Sequence, residues 1–181
     1  GYKIDAIPIS PRFQNEPVGL SLLLRTLSVF ETPVSLGVTY SAPFTRTARE
    51  IEPNVFFLRL KRDKDIASVI MANTRKLCKH LKNLEECADF LILIDPFGCN
   101  DLISPELFAE YVVPTYQEIA NSISLPLVLH MPGKIMGNLP FMTESGISAL
   151  QPIDKDDLEE AARISQGNLL IAGNLNGRLL V

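Results

Sequence analysis

Five short apolar runs limit what this chain can fold into more than any other feature. They cover residues 34–39, 90–94, 125–129, 147–150 and 169–172. Each is compact, rich in branched side chains and bounded by turn formers, which is the pattern of a buried strand. The runs are apolar almost throughout and do not alternate, as expected of parallel strands covered by helices on both sides. Helical patterns lie between them. Residues 20–30 form a short amphipathic stretch. Ile66, Val69, Ile70, Leu77, Leu81 and Leu84 keep a 3.6-residue period. Ser104-Pro105 reads as an N-cap followed by proline at the first helical position, opening a helix that buries Leu107, Phe108, Tyr111, Val112, Ile119 and Ile123. Pro114 should kink that helix. Residues 154–165 predict a further helix, with Asp156, Asp157, Glu159 and Glu160 near its positive end.

Strand and helix therefore alternate, and the sheet is expected to be parallel with right-handed crossovers. The spacing suits the βα units of a barrel or of a doubly wound sheet. Neither a GxGxxG loop nor a Walker lysine loop occurs, so a nucleotide-binding sheet has no support. With 181 residues the chain forms one α/β domain over residues 1–181, but is short for a complete (β/α)8 barrel, which needs roughly 200 or more.

Composition removes other classes. A chain that is 46% hydrophobic and 21% charged is not disordered. Its net charge of -4 argues against a nucleic-acid surface. No apolar run approaches the ~20 residues of a membrane span, and no signal peptide is visible at the start. Three cysteines, Cys78, Cys87 and Cys99, form no disulfide framework and fit a reducing, cytoplasmic compartment. Cys78 and Cys87 read as packing residues and His80 as a surface residue.

In a parallel α/β fold the ligand site lies beyond the carboxyl ends of the strands. Asp95, His130 and Asn174 stand directly at such ends, with Arg49, Asp101, Lys134 and Gln151 in the segments that follow. Each also has a plainer reading. Asp95 before Pro96 sets a turn, His130 is a hydrogen-bonded core histidine, Asn174 caps a tight turn, and Lys134 is a solvated charge.

The motifs resemble the uroporphyrinogen decarboxylase superfamily over roughly residues 34–177. They are Ala42-Pro43-Phe44-Thr45, the stretch from Asp95-Pro96 through Asp101-Leu102-Ile103-Ser104-Pro105-Glu106-Leu107-Phe108, the Leu129-His130 strand end with Gly133, and Gly173-Asn174-Leu175. The middle stretch is most similar to the branch of methylcobamide:coenzyme M methyltransferases. The resemblance implies a (β/α)8 barrel, here with about five strands represented, and a cleft at its C-terminal mouth. It implies methyl transfer from a methylated corrinoid protein to a small thiol such as coenzyme M. His130 would be the metal-binding or thiol-orienting residue, Asp95 and Asp101 would position the mouth loops or contact the cofactor, and Asn174, Gln151 and Arg49 would bind substrate.

The sequence departs from the family at several of these points. Arg49 falls where decarboxylases carry a substrate-contacting tyrosine, and Pro96 falls near their loop serine. The branch's zinc motif, His-x-Cys, is here His130-Met131-Pro132, and Leu150 and Gln151 replace its glutamate pair. The later cysteine ligand would fall beyond Val181. One imidazole does not make a zinc site, which wants three or four protein ligands, so the set is incomplete. Cys99 is the one thiol that could reach the same mouth. Two other readings stay open: a decarboxylase acting on a tetrapyrrole, and a non-catalytic relative that binds a corrinoid protein or another partner. A barrel short of strands exposes sheet edges, which predicts a shortened or fragmentary member pairing into a homodimer.

Overall fold

The computed structural model describes residues 6–9, 35–86, 88–153 and 155–173, the first of these segments by its backbone. The helix expected at 20–30, Val34, Cys87, Asp154 and the 174–177 segment that contains Asn174 lie outside the described residues.

Six strands form one sheet: β1 (Ala6–Ile9), β2 (Ser35–Ser41), β3 (Phe90–Ile94), β4 (Leu127–His130), β5 (Ala149–Ile153) and β6 (Leu170–Gly173). All neighbours are parallel, and their order in space is their order in sequence. A doubly wound sheet reverses direction partway through its strand order, whereas a barrel wall does not. The sequential order therefore selects the barrel arc from the two architectures the spacing allowed. All five expected strands are present, and a sixth joins them at the edge of the sheet. The missed strand, Ala6–Ile9, carries Pro8 and is too short to show a pattern.

Helices α1 (Pro43–Ile51), α2 (Pro53–Arg62) and α3 (Ile66–Leu81) join β2 to β3. Glu52, at φ 90, breaks the chain between α1 and α2, and its carboxylate accepts the Asn54 and Val55 N–H groups at the start of α2. Between β3 and β4 run α4 (Pro105–Leu107), a π-helical turn over Phe108–Val112 and α5 (Val113–Ser122). The Ser104 hydroxyl caps α4 as predicted, accepting the Leu107 N–H. The irregularity expected at Pro114 takes the form of that π turn, which ends two residues before the proline. Short α6 (Leu139–Met142) precedes β5, and α7 (Leu158–Ser165) precedes β6.

The two faces of the sheet differ. Leu36, Val38, Leu91, Leu93, Leu127, Leu129 and Leu150 are buried. They share one hydrophobic cluster with Phe44 and Phe56 of α1 and α2, Ile66, Ile70, Leu77 and Leu81 of α3, and Tyr116 and Ile119 of α5. Their neighbours along the strands, Thr39, Ile92, Ile94, Val128, His130, Ala149 and Gln151, are only half-buried. Successive side chains of a strand point to opposite faces, so among the described residues helices cover one face and leave the other half-buried. The expectation of helices on both sides is thereby corrected. The alternation is invisible in sequence because Ile92, Ile94 and Val128 are as apolar as the leucines they alternate with. Val69 is likewise exposed, although it fits the helical period of α3.

Candidate functional site

Strand pairing lines up the open face. Ser41, Ile94, His130 and Gln151 are successive partners across β2, β3, β4 and β5, forming the last row before the loops at the carboxyl ends. Beneath them lies the row Thr39, Ile92, Val128, Ala149 and Leu170. Parallel neighbours sit ≈ 4.8 Å apart, so His130 and Gln151 can share one small group. Ser41, two strands from His130, stands about 10 Å off by the same spacing. The Ser41 hydroxyl is buried with no hydrogen-bond partner among the described residues, and sequence reasoning passed over it. Backbone bonds staple these strand ends together. Ala42 N–H donates to the Ile94 carbonyl at 2.9 Å, Asp95 N–H to the His130 carbonyl at 2.9 Å, and Met131 N–H to the Gln151 carbonyl at 2.8 Å. His130 ends β4, as expected of the Leu129-His130 strand end, whereas Gln151, expected in the segment after its strand, lies inside β5.

Asp95 faces the other way. It is wholly buried. Its carboxylate accepts from the Thr45 hydroxyl of α1 and, at 2.7 Å, from the Tyr116 hydroxyl of α5. Burial pushes its pKa up to about 6, against the opposing pull of those two hydroxyls. Tyr116 is pushed well above its ordinary value, first by burial and then by the Asp95 charge, so it remains a donor. Asp95 thus adjoins the mouth through its backbone and offers its carboxylate to the helical layer. Tyr116 did not stand out in sequence, and Thr45 did so only as part of the Ala42-Pro43-Phe44-Thr45 motif, not as a partner of Asp95. A threonine after a proline turn and a tyrosine on an amphipathic helix both look like packing.

The loops beyond β3, β4 and β5 are tied into a rim. Asp101 accepts from Lys155 Nζ at 2.7 Å and from the Lys134 N–H at 3.3 Å, and these bonds, Lys155 foremost, hold its carboxyl below the usual range. Asn100 N–H donates to the Lys134 carbonyl at 2.7 Å, and Asp156 accepts the Ile135 N–H at 2.6 Å. Between these loops lies an open cavity of about 550 Å3, lined by Asn100, Asp101, Ser104, Lys134, Met136 and Asp156 among others. Arg49 is exposed at the end of α1, with its guanidinium carbon 5.9 Å from the centre of the Phe97 ring. His80 is half-buried and contacts the Tyr40 hydroxyl at 2.7 Å, more than the surface role expected of it.

Among the described residues no three His, Cys, Asp or Glu gather around a point that could hold a metal ion. Met131 next to His130 is wholly buried, and Pro132 has no donor atom. Cys99 is buried, its S–H points to the Pro96 carbonyl at 3.3 Å, and burial pushes the thiol up, the reverse of a metal-binding thiolate. The described residues do not fit a zinc site. Among them, too, no helix is long and apolar enough to cross a membrane.

A sequential parallel sheet with helices on one face, and polar side chains in the last row of the other, defines a (β/α)-barrel protein whose candidate site lies at the strands' carboxyl ends. The chain belongs to the uroporphyrinogen decarboxylase (URO-D) family, whose profile matches residues 4–181. It is 40% identical over 60 residues to the methylated-thiol–coenzyme M methyltransferase of Methanosarcina mazei, covering 33% of this chain and 16% of that one. It is 28% identical over 94 residues to the methylcobamide:CoM methyltransferase MtaA of Methanosarcina barkeri, covering 51% and 28%. A solved methyltransferase from Methanosarcina mazei superposes with a TM-score of 0.79 at 19% identity, covering 87% of this chain and 47% of that one. The chain thus spans less than half the length of each.

Proposed function

We propose that the chain carries the mouth of a methyltransferase that moves a methyl group from a methylated corrinoid, borne by a partner protein, to a small thiol such as coenzyme M. The observation that carries this reading is the row Ser41, Ile94, His130 and Gln151 at the carboxyl ends of four strands, in a chain whose relatives are named as methyltransferases of methylcobamide or methylated thiols. In this reading the His130 imidazole takes the thiol proton. The sulfur electron pair then forms the new S–C bond, and the pair of the breaking C–Co bond returns to cobalt. Gln151, one strand away, hydrogen-bonds the thiol's polar end. Arg49 and Asp101 contact the larger donor at the rim. No step is drawn through zinc.

The test uses the chain with free methylcobalamin and coenzyme M at neutral pH, followed by loss of the methyl–cobalt absorbance. His130→Ala should slow transfer by at least about a hundredfold, the usual scale of a lost general base. A rate unchanged in His130→Ala removes the role given to the imidazole, and no transfer by the unmodified chain sinks the reading.

A further inference from the structure

Asp95 is the one wholly buried carboxylate among the described residues, and no step above uses it. We propose that Thr45 and Tyr116, acting through Asp95, form a buried clamp that positions His130 at the mouth. Both oxygens of the carboxylate are engaged, Oδ1 by the Thr45 hydroxyl and Oδ2 by the Tyr116 hydroxyl at 2.7 Å. The N–H of the same residue donates to the His130 carbonyl at 2.9 Å. One residue, through its carboxylate and its backbone N–H, thus ties α1 and α5 to the end of the strand that carries the imidazole.

The clamp also fixes what lies against that strand end. While Thr45 Oγ1 donates to Asp95, it accepts the Phe97 N–H at 3.2 Å, pinning the turn Pro96–Gly98. The turn is packed against the residue after His130: a Cβ added at Gly98 would lie 2.7 Å from Met131 Cε and 3.3 Å from Asp95 Oδ2. Burying a carboxylate is costly, and an apolar side chain of similar size would fill the same space more cheaply. What the carboxylate adds is direction, since a hydroxyl on each of its oxygens fixes it in a single orientation. The strand end it fixes is the one holding His130, so Thr45, Tyr116 and Asp95 are positioning residues.

Part of the test rests on the methyl-transfer reading and part does not. The chain has two histidines, so a proton–carbon NMR spectrum holds two pairs of imidazole signals, assigned with His80→Gln. Tyr116→Phe and Thr45→Val each remove one hydroxyl and little else. At fixed pH both should move or split the His130 signals and leave those of His80 in place. Both should also lower kcat about tenfold or more while changing KM little, since small misplacements of a reacting group are expensive. Thr45→Ser, which keeps the hydroxyl, should restore both readouts. Unmoved His130 signals in Tyr116→Phe overturn the clamp, as does a Thr45→Ser variant as impaired as Thr45→Val. If Thr45→Val fails to fold, Tyr116→Phe and Asp95→Asn decide by the same spectra. If the unmodified chain transfers no methyl group, the reading above fails and the NMR result still decides the clamp.

Discussion

Asp95 makes a prediction on stability that needs no substrate. Its folded pKa of about 6, raised chiefly by burial, lies above the ordinary 3.8. A raised folded pKa means that the native state holds the proton more tightly than the unfolded chain. The stabilisation is fully present below about pH 3.8, is lost as pH rises through about 6, and is absent above. A shift of this size corresponds to about 3 kcal/mol. Asp63, Glu85, Asp101 and Glu106 shift the other way, but they are solvent-exposed and screened. Urea unfolding between pH 4 and pH 8 should therefore show Asp95→Asn gaining on the native chain as pH rises, by about 3 kcal/mol across the range. A difference that stays flat with pH would mean that the native carboxyl titrates normally. In sequence, Asp95-Pro96 offered a turn or a mouth acid, and local composition could not show which face its carboxylate takes. That depends on whether an odd or an even number of residues separates it from the core leucines of β3. The partners it finds, Thr45 and Tyr116, lie 50 and 21 residues away. For the same reason His80 read as a surface residue, because its contact with Tyr40 is 40 residues distant.

At the scale of elements, what the sequence announces is what local chemistry decides. Ser104-Pro105 is legible because cap and proline act on the backbone beside them, whereas the helix expected over residues 154–165 begins only at Leu158, where the Asp157 carboxylate accepts the Glu160 N–H at 2.8 Å to open α7. The two caps differ in quality, since the Ser104 bond is stretched to 3.4 Å. Asp157→Ala should cost about 1 kcal/mol of stability, and Ser104→Ala less than half of that. Chemical denaturation of the two variants checks the order, and equal losses would contradict it. Strand ends are less legible. The apolar runs at 125–129 and 147–150 begin before β4 and β5 do, and the strands continue through His130 and Gln151. Pairing is what extends them, because polar residues stay in register with Ile94 on the neighbouring strand. The π turn was hidden too. It adds a residue to the helical repeat just before α5, and so sets the rotation at which Tyr116 meets Asp95.

At the scale of the whole molecule, order and cover are separate questions. Alternating strands and helices were enough to foresee a parallel α/β sheet, and the pairing order then made it a barrel arc. One-sided cover could not be foreseen, since a barrel's inner face is as apolar as its outer one. That inner face now carries the last prediction. Ile92, Val128, Ala149 and Leu170 form a half-buried to exposed apolar row, with Leu170 on the last strand of the sheet 66% exposed. Contiguous apolar surface of this kind is rarely left to water in a stable monomer, and a strand at a sheet edge offers unpaired backbone groups to a partner. Self-association through the open face should follow. Sedimentation velocity over a tenfold or wider concentration range should show a species heavier than the 20.1 kDa chain. Val128→Glu, which puts a charge in the middle of the row without touching the buried leucines opposite, should return it to monomer and leave the helical signal in circular dichroism unchanged. A monomer at every concentration that takes up little hydrophobic dye would show that the open face is covered by something else.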